Sequence, residues 1–224
     1  RGGYRSPPPR RRQKRQAQIA KDGAAAAGRI TPQHLSRVIG EMAGPDAVIF
    51  NEYPLIAEQC PRERPGTYFA SSPAGGLGWG IGAALGAKLA APERFVIATL
   101  GDGVYQFSNP TVCSWVGAKF DLPVLTVIFN NSRYGAVRRA TLLMFKDGAA
   151  GEDDGRFLAD LDPSPPYDEI MRAQGGFGER VEDPGALAGA LARARDAVLL
   201  ERRQALLNVV CPYRARVPQS APRM

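Results

Sequence analysis

The chain has 224 residues, 44% of them apolar, enough to fill one sizeable core, yet it has no run of about 18 apolar residues of the kind that spans a membrane. No signal-peptide pattern opens it, and its three scattered cysteines, Cys60, Cys113 and Cys211, have neither zinc spacing nor the even count of a disulfide framework, which suits a reducing cytoplasm. The net charge of +7 belongs to one end: residues 1–29 hold nine Lys/Arg and one Asp, and the rest holds 20 basic and 21 acidic residues.

Residues 1–29 therefore read as a basic linker or a truncated upstream segment, and a first residue of Arg1 suggests a piece of a longer chain. The cluster from Pro7 to Arg15 would suit an anionic surface, but no aromatic interleaving supports nucleic-acid readout, and no nucleic-acid partner is expected. Each cysteine is expected to be a buried thiol.

From residue 30 to residue 212 the pattern alternates between strands and helices. Thr31-Pro32 reads as N-cap and first helical residue of a helix carrying Leu35, Val38, Ile39 and Met42, stopped by Gly44-Pro45. His34, the only histidine, is expected to be exposed on it. Ala47 to Phe50 is a short buried strand with Asn51-Glu52-Tyr53 at its carboxyl end, and Tyr68 to Ala70 is another. A glycine-rich turn leads into a small-residue helix from Gly75 to Ala91, followed by a strand from Phe95 to Leu100. A helix within Pro110 to Phe120 precedes a strand from Val124 to Phe129, and Ala136 to Phe145 is helical. Gly148 to Pro166 is a polar loop, Tyr167 to Gln174 a short helix, Asp183-Pro184 the cap of a helix reaching Leu200, and Ala205 to Val210 the last strand. Residues 213–224 form a tail. Strands separated by helices imply an α/β fold, a mainly parallel sheet with helices on both faces.

Ligands in such sheets bind outside the carboxyl ends of the strands. Three polar or glycine-rich segments fall there: Asn51-Glu52, Gly101-Asp102-Gly103 and Asn130-Asn131, the last two separated by the 26 residues 104–129. Taken singly, Gly-Asp-Gly and Asn-Asn are ordinary turn formers. Together they can hold a hard cation: Asp102 supplies a charged oxygen, Asn131 a neutral one, and the carbonyl of Arg133 a third. Gly103 carries no side chain to block a diphosphate. Glu52 reads either as a structural or interface residue or as a carboxylate near substrate. Phe107 and Trp115 are expected mainly in core packing.

The stretch from Ser72 to about Leu142 resembles the C-terminal, cofactor-binding domain of thiamine diphosphate enzymes, the family of acetolactate synthase, benzoylformate decarboxylase and pyruvate decarboxylase. The shared signature is Gly-Asp-Gly followed by Asn-Asn, standing here as GDGVYQFSNPTVCSWVGAKFDLPVLTVIFNN. Gly75-Gly76-Leu77-Gly78 matches the turn that faces the cofactor's aminopyrimidine, and Tyr134-Gly135-Ala136-Val137-Arg138 is similar to the benzoylformate-decarboxylase branch.

The resemblance implies Mg2+ on Asp102, Asn131 and the Arg133 carbonyl. It implies a diphosphate lined by Gly103, Val104, Tyr134, Gly135 and Ala136, with Val104 standing where many relatives have Ser. It implies an aminopyrimidine contacted by Gly75 and Gly76, with Leu77 as the apolar wedge under a bent cofactor. It implies decarboxylation or carboligation of a small 2-oxo acid. The family's activating glutamate comes from a pyrimidine-binding domain that the chain lacks, so no catalytic residue is assigned here and the chain is expected to be inactive alone. It would work in the cytoplasm with that domain, from the same longer chain or another subunit, as a homodimer or homotetramer.

Gly78, Gly82 and Gly86 recur every four residues, allowing close approach by another helix or tight packing within the domain. Three alternatives remain at this point: a cofactor-binding subunit of a two-chain decarboxylase; a non-catalytic relative; and a nicotinamide-binding Rossmann domain, because Gly78-Trp79-Gly80-Ile81-Gly82-Ala83 fits G-x-G-x-x-A.

Overall fold

The structure, a computed structural model, describes residues 9–24, 28–70, 74, 76–151 and 159–211. Its centre is a six-stranded, wholly parallel sheet in the order β2-β1-β3-β4-β6-β5. The strands are β1 (Val48–Glu52), β2 (Tyr68–Ala70), β3 (Val96–Gly101), β4 (Leu125–Asn130), β5 (Phe177–Val181) and β6 (Ala205–Val210). This is the expected α/β architecture.

Alternation along the strands divides the apolar residues between two faces. Ile49, Ile97, Leu125, Val127, Leu207 and Val209 face one layer, built from α2 (Pro32–Ala43) and α8 (Leu187–Leu199). Phe50, Ala98, Leu100, Ile128 and Leu206 face the other, built from α3 (Trp79–Ala90), α4 (Asp102–Phe107), α5 (Pro110–Lys119) and α7 (Tyr167–Ala173). Burial on both faces explains why β3, β4 and β6 read as almost continuous apolar runs. Two further α-helices lie among the described residues, α1 (Pro9–Asp22) and α6 (Gly135–Met144).

Local chemistry sets most boundaries. Thr31 caps α2, its Oγ1 accepting from the His34 amide at 3.1 Å, and Gly44 ends it at φ 68°. Two expectations are corrected and one strand is added. Asp183 caps a turn rather than a helix: its Oδ1 accepts from the Gly185 amide at 2.9 Å, and α8 begins at Leu187. Residues 177–181 form β5, an edge strand whose partly exposed, polar sequence hides its pairing with β6. His34 is buried, because Gly23, just past the end of α1, lies against α2; its Nδ1 lies 3.1 Å from the Gly23 carbonyl, which also accepts from Arg37 Nε at 2.8 Å. Gln59 Nε2 donates to the Ile19 carbonyl at 2.6 Å, so the basic segment carries a helix tied to the domain at its end.

Cys60 and Cys211 are buried, as expected, whereas Cys113 is half-buried. The pro-rich start (residues 1–8), the tail from residue 212 and residues 152–158 of the polar loop lie outside the described residues.

Candidate functional site

The carboxyl ends of β1, β3 and β4 bring the three predicted segments to one edge of the sheet, with Glu52 opposite Leu100 and Gly101 opposite Phe129 in the ladder. The segments then take different parts. Asn51 is consumed by structure: its Oδ1 accepts from the Leu55 amide at 3.0 Å and from Thr99 Oγ1 at 3.1 Å, and its Nδ2 donates to Tyr68 Oη at 2.9 Å. Glu52 is buried at 1% exposure and binds the start of α3, Oε1 accepting from the Gly78 amide and Oε2 from the Gly80 amide, each at 2.7 Å. A carboxylate at a helix N-terminus is favoured by the unpaired amides and the dipole there. The same contacts answer the Rossmann reading, because amides that would receive a pyrophosphate are already held by Glu52.

Asp102 is the unusual group. It is 2% exposed at the end of β3, and among the described residues no Lys or Arg pairs with it. Burial pushes its carboxyl up to about 6, an effect opposed in part by backbone N–H groups of Gly103, Arg133 and Ser132. Its Oδ2 accepts from the Arg133 amide at 3.2 Å, and the same amide donates to Asn131 Oδ1 at 3.0 Å. One N–H thus draws together the two oxygens predicted as cation ligands. The Arg133 carbonyl accepts from the Gly135 amide at 2.8 Å, which leaves a second lone pair on that oxygen. The turn that does this passes through Ser132 in the left-handed region, φ 54°. A strap closes over it: Arg133 bridges Asp160, Tyr134 N donates to the Ala159 carbonyl and Leu161 N to the Ser132 carbonyl, both at 2.8 Å.

Among the described residues no group of three or more His, Cys, Asp and Glu could hold a metal. The expected ligand set contains one carboxylate, one carboxamide and one backbone carbonyl. A buried carboxylate without a counter-charge, beside neutral oxygens, is the donor chemistry a magnesium-diphosphate needs, so the residues present fit that group.

The remaining predicted residues fall around this corner. A Cβ at Gly103 would run into the ring of Tyr134, which also meets Phe107 edge-on with centroids 6.1 Å apart. The Val104 side chain is buried in the core, leaving only its backbone free to face a ligand. Gly135 lies against Asn131 Nδ2, and Ala136 is exposed in the first turn of α6. Leu77 is 36% exposed and nothing lies within 4 Å of a Cβ at Gly76; Gly75 lies outside the described residues. Phe107 and Trp115, expected in the core, are 60% and 58% exposed. A cleft of about 190 Å³ lies at the opposite, amino end of the sheet, lined in part by Gln174, Arg202 and Gln204.

Sequence reasoning missed the buried polar side chains behind the corner, Asn208 and Asp168, and the structural role of Asn130. One signal was available: Asn208 is the single polar residue in the run from Ala205 to Val210.

Residues 52–209 match the family described as thiamine pyrophosphate enzyme, C-terminal TPP binding domain. The chain belongs to that family. It is 30% identical over 164 residues to an acetolactate synthase of Mycobacterium avium, a match covering 71% of this chain and 26% of that protein. It is 34% identical over 119 residues to a benzoylformate decarboxylase of Pseudomonas aeruginosa, covering 51% of this chain and 22% of that one. In fold it is similar to a thiamine diphosphate-dependent 4-hydroxybenzoylformate decarboxylase of Rhodococcus jostii RHA1, with a TM-score of 0.68 and 25% identity over 84% of this chain and 34% of that chain. The chain thus spans about a quarter of the length of the curated relatives it matches. Thiamine diphosphate is the cofactor of this domain family, with Mg2+ as its usual partner metal.

Proposed function

We propose that this chain is the cofactor-binding part of an enzyme that decarboxylates or carboligates a small 2-oxo acid, in the manner of acetolactate synthase or benzoylformate decarboxylase. The observation that carries the reading is Asp102, a carboxylate buried without a counter-charge whose Oδ2 shares the Arg133 amide with Asn131 Oδ1. In this reading Asp102 and Asn131 hold Mg2+ through their side chains and Arg133 through its carbonyl. Gly103, Val104, Tyr134, Gly135 and Ala136 line the diphosphate. Gly75 and Gly76 face the aminopyrimidine, and Leu77 is the wedge beneath it.

When bound, thiamine diphosphate supplies an electron sink for the carbanion left by departing CO2. The chain's own part would be to bind and orient: the oxygens of Asp102, Asn131 and Arg133 would hold the cation, and Gly103 would leave room for the diphosphate. The activating glutamate belongs to a pyrimidine-binding domain, carried by the rest of a longer chain or by another subunit. That the match covers only 26% and 22% of two curated relatives supports a piece of a larger protein. A homodimer or homotetramer in the cytoplasm follows from the same reading. Among the described residues no helix is long and apolar enough to cross a membrane.

The test is CO2 release from pyruvate and from benzoylformate by this chain completed with a pyrimidine-binding domain, Mg2+ and thiamine diphosphate. Turnover of either acid, abolished by Asp102→Ala, is expected. Loaded, folded protein that releases CO2 from neither would sink the 2-oxo acid assignment.

A further inference from the structure

Behind the Asp102 corner runs a line of buried polar side chains that the proposed cation site does not itself use. Asn130, the last residue of β4, donates from Nδ2 to Asn208 Oδ1 and to Ser164 Oγ, each at 2.8 Å, while its Oδ1 accepts from the Ser132 amide at 3.0 Å. Asn208, in β6, donates from Nδ2 to Asp168 Oδ1 at 3.2 Å. Asp168, on α7, holds Arg172 Nη2 through Oδ2 at 3.2 Å. Asn130, Asn208 and Asp168 are 2%, 0% and 5% exposed.

The order of donors and acceptors along this line has one direction. A carboxylate paired with arginine only accepts, so Asp168 requires Asn208 to present its NH2. The Asn208 oxygen then faces Asn130 and requires an NH2 there in turn. With that NH2 turned inward, Asn130 is left with its oxygen toward the Ser132 amide. Ser132 is a non-glycine residue in the left-handed region, a conformation that persists only where its surroundings hold it. Its turn delivers the Arg133 amide to Asp102 Oδ2 and Asn131 Oδ1 together.

We propose that Asn208 and Asp168 are positioning residues that act through the Asn130 carboxamide to hold the Ser132 turn, and so set the Asp102 and Asn131 oxygens for one divalent cation. The proposal rests on reading that corner as the cation site, and it adds to that reading a control of cation affinity from α7 and β6. Groups that orient metal ligands from behind commonly change affinity by about 10- to 100-fold when altered.

Mn2+ binding read by electron paramagnetic resonance, on the full chain with its pyrimidine-binding domain and thiamine diphosphate supplied and well below the melting temperature, tests this without any turnover. Asn208→Asp keeps an acceptor for Asn130 but sets a carboxylate against Asp168; its Mn2+ affinity is expected to fall by about tenfold or more. Adding Asp168→Asn lets the amide at position 168 donate to the carboxylate at position 208, and most of the lost affinity is expected to return. Where Asn208→Asp alone does not fold, the isosteric Asp168→Asn carries the test, because the amide orientations are no longer dictated and affinity falls. Unchanged affinity in folded single variants, or an exchange that restores melting temperature but not affinity, overturns the proposal. A wild type that binds no Mn2+, or Asp102→Ala that binds it as well as wild type, overturns the cation reading itself, and the positioning roles with it.

Discussion

Asp102 shows what one residue contributes when it is kept for a partner. Its carboxyl ionises at about 6 in the folded chain, because burial disfavours the charge more than the neighbouring amides favour it. A carboxyl raised on folding contributes most favourably below its ordinary range, where both states are protonated. That contribution is lost as pH rises toward 6, and above 6 the folded metal-free chain carries the full penalty, on the order of 3 kcal/mol. Asp102→Asn keeps an acceptor for the Arg133 amide and removes the charge. In metal-free protein at pH 7.5 the variant is expected to unfold at higher urea than wild type, with the difference vanishing near pH 4. Mg2+ and thiamine diphosphate together should stabilise only wild type. A variant less stable than wild type without metal at pH 7.5 would show that the carboxylate is already satisfied by protein. Glu52 is the contrasting case: equally buried, it has two amides for its two oxygens and needs nothing further.

At the scale of elements, α3 separates the roles of its glycines. A Cβ at Gly78 would meet the backbone of Phe107 and Ser108, and Gly78 has φ 91°, so close packing and a left-handed turn both require glycine there. Around Gly82 and Gly86 nothing lies within 4 Å of an added Cβ. The chain itself gives no packing reason for glycine at either position, although mid-helix glycine costs about 1 kcal/mol relative to alanine. Gly82→Ala and Gly86→Ala are each expected to raise the stability of this chain by roughly that amount in urea unfolding. A drop in stability would mean that the helix face is already packed within the chain. The element scale also shows why His34 misled: its burial depends on α1, whose polar sequence gave no sign of packing, and on a contact to the Gly23 carbonyl 11 residues away. β5 was hidden for a related reason, since an edge strand half open to solvent need not be apolar.

Over the whole molecule, the features legible in the sequence are those written locally. Apolar runs broken by Gly-Asp-Gly and Asn-Asn marked both the strands and the edge where they end, and the parallel sheet brought Asp102 and Asn131 to one corner as expected. The support for that corner is written non-locally. Asn130, Asn208 and Asp168 are 78 and 40 residues apart, and only the order β4-β6, with α7 packed across, makes them neighbours. Exposure of Trp115 and Phe107 was likewise beyond local reading, because two faces of one helical layer look equally apolar until the sheet chooses one. Large side chains left open on α5 and α6, among them Trp115, Leu143 and Met144, accord with a chain that spans about a quarter of its relatives' length.

The central claim is that the Asp102 corner binds the diphosphate of the cofactor through a divalent cation. Calorimetric titration of thiamine diphosphate into the folded chain, with its pyrimidine-binding domain supplied, with and without Mg2+, for wild type and Asp102→Ala, tests it most directly. Binding that requires Mg2+ and disappears in the variant is expected; binding that ignores both Mg2+ and the substitution, or none at all in folded wild type, would contradict it.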